Sequence, residues 1–319
     1  MGFLPDQMVT QKIGFLFPGQ GAQFVGMGKD WAAQFEKARQ IYEEADRILG
    51  FPLSRLCFEG PEVELTRTLN AQPAIFATSL AFLAVLEEKF PELKPDFTAG
   101  LSLGEFTALA AAGSLSFQEG LRLVKLRAES MEKAAQKNPG TMVSVVGLDQ
   151  KQCEEIAKQS GAQLANLNAP DQFVLSGAGP QVEKAAQLAE AGRAKRVIRL
   201  KVGGAFHSAL MNDARQSFKE ALGKVSFRAP RCLFVPNASA QGEANPEKIR
   251  SLLAEQLTRP VRWIETMQCA GAHGIRHFIE IGPGRVLKGL AKRIDAGLEV
   301  LPCEKISDLN ALESALEKV

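Results

Sequence analysis

The sequence predicts an α/β fold with a mostly parallel sheet that is interrupted by a smaller inserted unit. Two observations carry this prediction. Apolar runs of strand length alternate with amphipathic helical segments on both sides of the middle of the chain, as in parallel α/β proteins. Between residues 138 and 202 the order changes to strand, helix, strand, strand, helix, strand. A chain of 319 residues is long enough for both units.

Composition excludes several classes of function. Hydrophobic residues make up 45% of the chain and charged residues 23%, which are ordinary globular values, and a net charge of +2 gives no argument for nucleic acid or a membrane surface as partner. The five cysteines are scattered, so neither a disulfide framework nor a thiolate metal site is expected, and a reducing cytoplasm fits. The N-terminus lacks a basic start followed by an apolar core, so no secretory signal is expected. The longest apolar stretch, Ala74 to Leu86, is too short to span a bilayer and is predicted to be a buried helix.

The first part of the main domain, residues 1–137, begins with a strand and a glycine-rich loop. The continuous apolar run Ile13 to Phe17 is typical of a parallel strand covered on both faces. In the loop that follows, two glycines flank Gln20 and allow the backbone to present N–H groups to a ligand; a solvated loop explains the stretch equally well. Helical periodicity then predicts helices over 30–49 and 73–86, the second with its proline in the first turn.

The motif around Ser102 predicts a nucleophile elbow. The apolar run Phe97 to Ala99 has strand character, and residues 106–112 have helix character. Gly100 and Gly104 stand two positions before and after the serine, where a Cβ atom would clash in so tight a strand-to-helix turn. A serine in this position is exposed for nucleophilic attack, as in an α/β-hydrolase-like main domain. The alternative is an ordinary turn between a strand and a helix.

A cation is predicted on the buried face of the next helix. Ser116 and Glu119 have the spacing of a capping box, and the helix is expected to continue to about residue 136. Arg127 lies beside the apolar stripe of this helix, where a charge needs a partner. That partner is either a neighbouring carboxylate or the carboxylate of a substrate held by the guanidinium group. The stripe consists of Leu121, Val124, Ala128, Met131 and Ala135.

The inserted unit is predicted to be a ferredoxin-like small domain with the order βαββαβ, over residues 138–202. The main α/β domain is then discontinuous and comprises residues 1–137 and 203–319. The six elements of the insertion are expected over 141–148, 150–158, 163–167, 173–176, 180–191 and 196–202.

His207 is the candidate general base. It follows a pair of glycines and precedes Ser208, which can cap a helix, so the positive end of the helix dipole would keep its imidazole neutral. Of the other histidines, His273 precedes a helix-ending glycine and His277 lies within an apolar strand. A structural role is expected for both. The rest of this part is predicted to alternate strands over 233–237, 275–281 and 299–302 with helices over 247–257, 261–272 and 286–294.

Several motifs occur together in a fixed order along the chain. They are the stretches 17–23, 100–105, 125–127, 166–176, 204–208, 256–261 and 280–284. With these motifs the chain resembles, from Lys12 to Cys303, the malonyl-CoA:acyl carrier protein transacylases of fatty acid synthesis. A plain α/β hydrolase would instead supply an acidic residue between serine and histidine and a smaller cap.

The resemblance implies a ping-pong reaction. Ser102, deprotonated by His207, would take the malonyl group from malonyl-CoA and pass it to the phosphopantetheine thiol of acyl carrier protein. The backbone N–H groups of Gln20 and Leu103 would form the oxyanion hole, and Arg127 would bind the free carboxylate of the malonyl group.

The resemblance also assigns supporting roles. The main-chain carbonyl of Gln256 would orient His207, so no triad acid is expected, and Asn168 and Phe206 would line the site. Phe206 fits the pattern of enzymes that use malonyl groups. The family commonly has histidine where this chain has Leu101, so the packing and polarity behind the nucleophile are expected to differ.

The expected partners are malonyl-CoA and acyl carrier protein, with no cofactor, metal, nucleic acid or membrane, and the protein is expected to be a cytoplasmic monomer. Acyl carrier proteins are acidic, so either of two basic clusters could dock one, although solvated helix faces explain both. Two rival functions differ in outcome: a serine hydrolase would release free malonate, whereas a non-catalytic carrier-binding module would bind without turnover. The basic clusters are Arg193, Lys195, Arg196, Arg199 and Lys201, and Lys288, Lys292 and Arg293.

Overall fold

The structure is a computed structural model that describes residues 11–316, and these residues form two separate sheets. The strands are β1 (Ile13–Phe17), β2 (Phe97–Gly100), β3 (Thr141–Val146), β4 (Gln163–Ala169), β5 (Gln172–Gly177), β6 (Arg196–Arg199), β7 (Leu233–Phe234), β8 (His277–Ile281) and β9 (Glu299–Cys303). The first helices are α1 (Lys29–Gln34), α2 (Glu36–Leu49), α3 (Leu53–Glu59), α4 (Glu62–Leu65), α5 (Thr68–Lys89), α6 (Gly104–Ala111) and α7 (Phe117–Lys137). The remaining helices are α8 (Gln150–Ser160), α9 (Gly179–Ala191), α10 (Asn212–Leu222), α11 (Pro246–Gln256), α12 (Trp263–Ala272), α13 (Val286–Ile294) and α14 (Ile306–Leu316).

The main sheet contains five strands in the order β7-β2-β1-β8-β9, and every neighbouring pair is parallel. Strands β1 and β2 pair in register up to Phe17 and Gly100, so the loops that follow these two strands leave the sheet side by side. In an open parallel sheet, ligands bind at the carboxyl ends of the strands. The predicted parallel α/β architecture is confirmed, and it places the Gln20 loop next to the Ser102 turn.

The second sheet is antiparallel, with the order β4-β5-β3-β6. The first strand of this unit pairs with its third and fourth strands, as expected for a ferredoxin-like unit, and α8 and α9 pack on the sheet. Its side chains form a hydrophobic cluster of their own, which includes Val143, Phe173 and Val182. The two-part fold is as predicted, while the domain limits at 138 and 202 stay a prediction.

The predicted helix over 30–49 is wrong in one respect, because it is divided at Phe35. This residue has extended backbone angles (φ −118°, ψ 123°) between α1 and α2. Hydrophobic contacts continue on both sides of the break: the Trp31 ring stacks on Phe82 of α5 at 4.3 Å, and α2 buries Tyr42. A break of one residue leaves the apolar periodicity almost unchanged, so the sequence pattern did not reveal it.

Helix α5 is the buried helix predicted from the apolar stretch, but it begins earlier. It begins at Thr68, so Pro73 lies in its second turn rather than in the first. Because the helix is buried around most of its circumference, its composition carries no amphipathic signal that would mark the start. By length and composition α5 could cross a membrane, yet 83% of its most apolar window is buried inside the protein, as expected for a core helix.

Three predicted strands end earlier than expected; one of them is β3, which stops at Val146 and not at residue 148. Strand β7 stops at Phe234, and β6 stops at Arg199. Pro236 has no N–H to offer a strand ladder, and the chain turns after it, with the amide of Ala240 bonded to the Pro236 carbonyl. This early turn brings Asn237 to the carboxyl end of the main sheet. The short helices α3 and α4 and the final helix α14 were not predicted.

Helix α7 matches its prediction closely. Ser116 and Glu119 form both bonds of the capping box, and the predicted apolar stripe is buried. Arg127 on this face is only 1% exposed. The helix therefore carries a cation into the interior between the two sheets.

Candidate active site

The turn after β2 has the geometry of a nucleophile elbow. Ser102 lies in the left-handed region with φ 53°, a conformation that costs a non-glycine residue about 1–2 kcal/mol. A Cβ atom on Gly100 would collide with the backbone of Gly104, and one on Gly104 would collide with the carbonyl of Phe17. The steric reason for the two glycines is confirmed, and the serine is held at the start of α6.

Ser102 and His207 are arranged in the geometry of a catalytic dyad. The distance from Ser102 Oγ to His207 Nε2 is 2.8 Å, and the distance from His207 Nδ1 to the main-chain oxygen of Gln256 is 2.8 Å. Because a carbonyl only accepts, Nδ1 carries the hydrogen, and Nε2 is free to accept the proton of the serine hydroxyl. The arrangement provides a nucleophile, a base and an orienting group without an acidic residue.

The histidine is buried and held in an unusual backbone conformation. His207 is 5% exposed, and its φ of 57° is again left-handed. Burial, and after it the charge of Arg127, lowers the pKa of His207 to about 4. The sequence argument predicted a neutral imidazole for a different reason, the dipole of a helix beginning at Ser208. In the structure Ser208 caps only a short 3₁₀ turn, Ala209–Met211, before α10 begins.

Arg127 reaches the nucleophile itself. Its Nη2 group donates to Ser102 Oγ at 3.0 Å and to Gln256 Oε1 at 2.8 Å, and Nη1 donates to Gln72 Oε1 at 2.7 Å. Burial lowers the pKa of Arg127 to about 10, which leaves it charged at neutral pH. Within residues 11–316, no carboxylate forms a salt bridge with it. Of the two alternatives left open by the sequence, a carboxylate in direct contact is absent from the described residues, and the guanidinium lies beside the serine. Glu105, which is joined to Arg127 through the Gln256 side chain, raises the pKa of Arg127 by its charge.

The dyad and the arginine face one cleft of about 340 Å³ between the two sheets. Its lining comes from both units. The main unit contributes Gly19, Gln20, Gly21, Gln23, Thr66, Leu101, Ser102, Arg127, Met131, Phe206 and His207, and the region around the small sheet contributes Met142, Asn166, Leu200, Lys201 and Val202. A cleft with a few convergent polar groups and a base with a lowered pKa has the features of an active site.

The two predicted oxyanion donors lie close to the elbow. Gln20 lines the cleft, and a Cβ atom on the preceding Gly19 would collide with the carbonyl of Leu101, so this loop packs directly on the elbow backbone. Leu103 is buried immediately before α6. Among the described residues, neither the Gln20 nor the Leu103 N–H donates a hydrogen bond. Their role in an oxyanion hole stays a prediction.

The structure places Phe206 in the cleft but not Asn168. The residue that lines the cleft from β4 is Asn166, whereas Asn168 is buried with its side-chain oxygen unpaired among the described residues. Strand β4 has register shifts between Leu164 and Asn166 and between Leu167 and Ala169, so simple alternation does not tell which asparagine faces the site. Asn166 thus corrects the expectation for Asn168.

Three polar residues near the site, and the side chain of Gln256 as a fourth group, were left without a role by sequence reasoning. Gln72 binds Arg127, and the side chains of Asn237 and Gln256 bind the backbone of Ser102. The third residue, Glu105, is fully buried behind the elbow. Gln72 had a visible signal as a lone amide next to a long apolar stretch, and Glu105 ends the elbow motif three residues after Ser102. Asn237 and the Gln256 side chain become neighbours of Ser102 only through the fold.

No group of three or more potential metal ligands occurs within residues 11–316. All five cysteines are free, and Cys57, Cys153 and Cys303 are buried. Burial raises the pKa of the Cys57 and Cys153 thiols to about 12, so these thiols are inert.

Comparison with known proteins gives a consistent result. Residues 14–305 match the family model described as an acyl transferase domain. The chain is similar to the malonyl CoA-acyl carrier protein transacylase of Bacillus subtilis (strain 168), with 44% identity over 313 residues that cover 96% of each protein. It is also similar to the crystal structure of an acyl-carrier-protein S-malonyltransferase from Bartonella henselae, with 41% identity, a TM-score of 0.92, and 96% and 100% of the two chains covered. A further similar structure contains a type II PKS acyl-carrier protein in complex with its malonyl-transacylase; identity is 38%, the TM-score is 0.91, and 95% and 100% of the chains are covered.

Proposed function

The chain belongs to the acyl transferase family, and we propose that it works through a serine ester formed on Ser102. The protein is an acyl carrier protein S-malonyltransferase: it transfers the malonyl group from malonyl-CoA to the thiol of acyl carrier protein, which supplies fatty acid synthesis. The relatives named above carry out this transfer as their names state, and the chain covers nearly their whole length.

In the first half-reaction, His207 Nε2 takes the proton from Ser102 Oγ as the oxygen attacks the thioester carbonyl. The negative charge that develops on the carbonyl oxygen is stabilised by the N–H groups of Gln20 and Leu103. The C–S bond then breaks, and the leaving coenzyme A thiolate receives the proton from His207. The main-chain oxygen of Gln256 keeps the imidazolium oriented through Nδ1–H.

In the second half-reaction the pantetheine thiol of acyl carrier protein enters the same cleft. His207 takes the thiol proton, the sulfur attacks the serine ester, and the C–O bond breaks as Ser102 recovers its proton. Because the two half-reactions share one base and one oxyanion site, neither a metal nor a cofactor is needed.

Arg127 supplies selectivity for an acyl group with a free carboxylate. Its Nη2 group lies 3.0 Å from Ser102 Oγ, so an acyl group on that oxygen would carry its distal carboxylate next to the guanidinium. This contact carries the proposal, because it places a buried cation beside the atom that receives the acyl group. Phe206 beside the base closes the cleft around a small acyl chain.

The cleft lies between a main domain of residues 1–137 and 203–319 and an inserted domain of residues 138–202. Burial of the ester between them would keep water away, so that the ester waits for a thiol rather than hydrolysing. We further propose that the enzyme acts as a cytoplasmic monomer, with acyl carrier protein approaching one of its basic clusters.

The direct test is mass measurement of the intact protein after incubation with malonyl-CoA. The wild type should gain one malonyl group, lose it when the phosphopantetheine form of acyl carrier protein is added, and release little free malonate without it. Ser102→Ala should gain nothing, while Ser251→Ala, which changes an exposed serine, should behave as the wild type. No adduct on the wild type would rule out the serine ester, and rapid release of malonate without carrier would identify a hydrolase.

A further inference from the structure

The nucleophile is held by two side-chain amides on opposite sides of its backbone. The N–H of Ser102 donates to Asn237 Oδ1 at 2.7 Å, and the carbonyl of Ser102 accepts from Gln256 Nε2 at 2.9 Å. A non-glycine residue with φ 53° persists only where its surroundings fix it, and these two bonds act on both peptide groups that define this angle.

Both residues are in turn bound by one carboxylate, Asn237 through its backbone and Gln256 through its side chain. Glu105 Oε2 accepts from the backbone N–H of Asn237 at 3.0 Å and from Gln256 Nε2 at 2.6 Å. Asn237 is further fixed by its Nδ2 group, which donates to the carbonyl of Gly100 at 2.8 Å. The carboxylate thus ties the loop after β7 and the end of α11 to the first turn of α6, directly behind Ser102.

The carboxylate, together with the Ser102 carbonyl and the Arg127 guanidinium, fixes which way the Gln256 amide faces. A carboxylate oxygen only accepts, so the NH₂ group of Gln256 must point toward Glu105 and the Ser102 carbonyl. The amide oxygen of Gln256 then points the other way, where it accepts from Arg127 Nη2 at 2.8 Å. Rotation of this amide would set its oxygen against the Ser102 carbonyl and its NH₂ group against the guanidinium.

Apart from these bonds, Glu105 acts on the site only through its charge, which raises the pKa of the buried Arg127. It is fully buried, it does not line the cleft, and its Oε1 atom has no hydrogen-bond partner among the described residues. Burial raises its pKa to about 7. An apolar side chain would avoid this desolvation, and a buried charged group is weak evidence for stability, so its placement calls for a role in the site.

We propose that Glu105 is a positioning residue for acyl transfer, which holds Ser102 in its reactive conformation through Asn237 and Gln256 and orients Gln256 toward Arg127. The proposal rests on Ser102 being the nucleophile, as argued above. What matters in it is the acceptor oxygen at the Oε2 position. Glutamine can keep that oxygen, whereas methionine fills a similar volume without it.

The experiment compares Glu105→Gln with Glu105→Met in the full chain. The rate constant of malonyl-enzyme formation at saturating malonyl-CoA is measured by rapid quench and intact mass, together with the KM for malonyl-CoA. Glu105→Met should lower this rate constant about 100-fold, the order of loss expected when a reacting group is misplaced by about 1 Å. The KM should change less than threefold, and Glu105→Gln should restore the rate constant to within about threefold of the wild type.

A matched control is available in a second buried glutamate. Glu280 is also unexposed, its pKa is also raised by burial to about 7, and it accepts from two backbone N–H groups at the start of α13. Glu280→Met should lower the melting temperature without changing the rate constant. Equal losses of rate in Glu105→Met and Glu280→Met would show that loss of stability explains both and would overturn the proposal.

Two further results would also overturn it: a Glu105→Met enzyme with the wild-type rate, or a Glu105→Gln enzyme as slow as Glu105→Met. If Glu105→Met does not fold, Asn237→Ala tests the same argument, because it removes the bond to the Ser102 N–H and should lower the rate constant with little change in KM. A wild-type rate in Asn237→Ala would then reject the proposal. Failure of the serine ester itself would appear separately, as a wild-type protein that forms no adduct.

Discussion

The two sheets contribute to the cleft in different ways. The parallel sheet and its helices provide every group assigned a chemical step, with Ser102 following β2, Arg127 on α7 and His207 in the segment before α10. The antiparallel sheet and the residues that follow it provide wall positions such as Met142 and Asn166. The unit with the parallel sheet therefore carries the reacting groups, whereas the unit with the antiparallel sheet helps to enclose the substrate. The two units have distinct hydrophobic clusters. Changes at Ser102, His207 or Arg127 should alter the reaction or the choice of acyl group, and changes at the wall positions of the second unit should alter only the binding of substrate.

The distribution of backbone strain shows the same contrast. Of the residues that the structure describes, four non-glycine residues have positive φ: Ser102, His207, Arg193 and Ala240. The first two are the proposed nucleophile and base, and Ala240 lies in the turn that presents Asn237. In the antiparallel unit only Arg193 has this conformation, in an exposed turn after α9. Strain concentrated in this way is typical of residues whose positions matter for function.

Among the substitutions that test this difference between the two units, the largest change in activity is expected at Arg127. Arg127→Gln should lower malonyl transfer relative to acetyl transfer by about 10- to 100-fold, because a charge-assisted bond to the malonyl carboxylate contributes about 1.5–3 kcal/mol. The measurement is the ratio of kcat/KM for malonyl-CoA and acetyl-CoA, with acyl carrier protein as acceptor. The ratio is the informative quantity, since Arg127 also touches Ser102 and its loss can slow both substrates.

Arg122→Gln is the matched control for this variant. Arg122 lies on the same helix but is exposed, so its replacement should leave the ratio unchanged. If Arg127→Gln slowed both acyl groups equally, Arg127 would be a positioning group for Ser102 and not the carboxylate site.

The next prediction concerns the pH dependence of the reaction of Ser102. Below the pKa of His207, the rate should fall about tenfold per pH unit. The pKa of His207 is lowered to about 4, so the imidazole is neutral, and able to act as a base, at every pH well above that value. The rate of Ser102 labelling by a neutral fluorophosphonate should therefore be level from pH 5 to about 8 and fall as the pH drops through about 4. Circular dichroism at each pH would check that the fold persists.

The same profile tests the cause of the shift. The charge of Arg127 is the second contribution to the low pKa, after burial, so Arg127→Gln should move the midpoint to higher pH. A wild-type midpoint near the ordinary histidine value of about 6.5 would mean that the base is not desolvated as the structure indicates.

Local patterns predicted the parts of the site that depend on local sterics and periodicity. Gly100 and Gly104 were identified because any side chain there would collide within a single turn, and the helical repeat placed Arg127 on a buried face. The pairing of Ser102 with His207, 105 residues apart, came from the resemblance of ordered motifs, which the structure supports with a distance of 2.8 Å.

What the sequence did not reveal depends on contacts between distant segments. Glu105 meets the amide of Asn237 across 132 residues and Gln256 across 151, and no spacing in the chain marks those meetings. Asn168 was expected in the site from the resemblance alone. The register shifts in β4, where Asn166 lines the cleft and Asn168 does not, are not visible in the residue pattern. The low pKa of His207 was assigned to a helix dipole because burial is a property of the whole fold.

The smallest effect is expected on the antiparallel side, at Asn166. Asn166 lines the cleft, and its side-chain amide has no hydrogen-bond partner within the described part of the chain, so we expect this amide to bind a polar group of the substrate. Asn166→Ala should raise the KM for malonyl-CoA about fivefold, which corresponds to about 1 kcal/mol for one neutral hydrogen bond, and leave kcat unchanged.

Asn168→Ala is the control, because this neighbour is buried outside the cleft lining and should leave the KM unchanged. The measurement is the steady-state kcat and KM for malonyl-CoA of both variants, with acyl carrier protein as acceptor. If Asn166→Ala lowered kcat instead of raising KM, the antiparallel unit would take part in the chemical step, because a wall position that only binds substrate has no effect on the rate at saturation. The antiparallel unit would then do more than enclose the substrate, because Asn166 of β4 would contribute to the reaction itself.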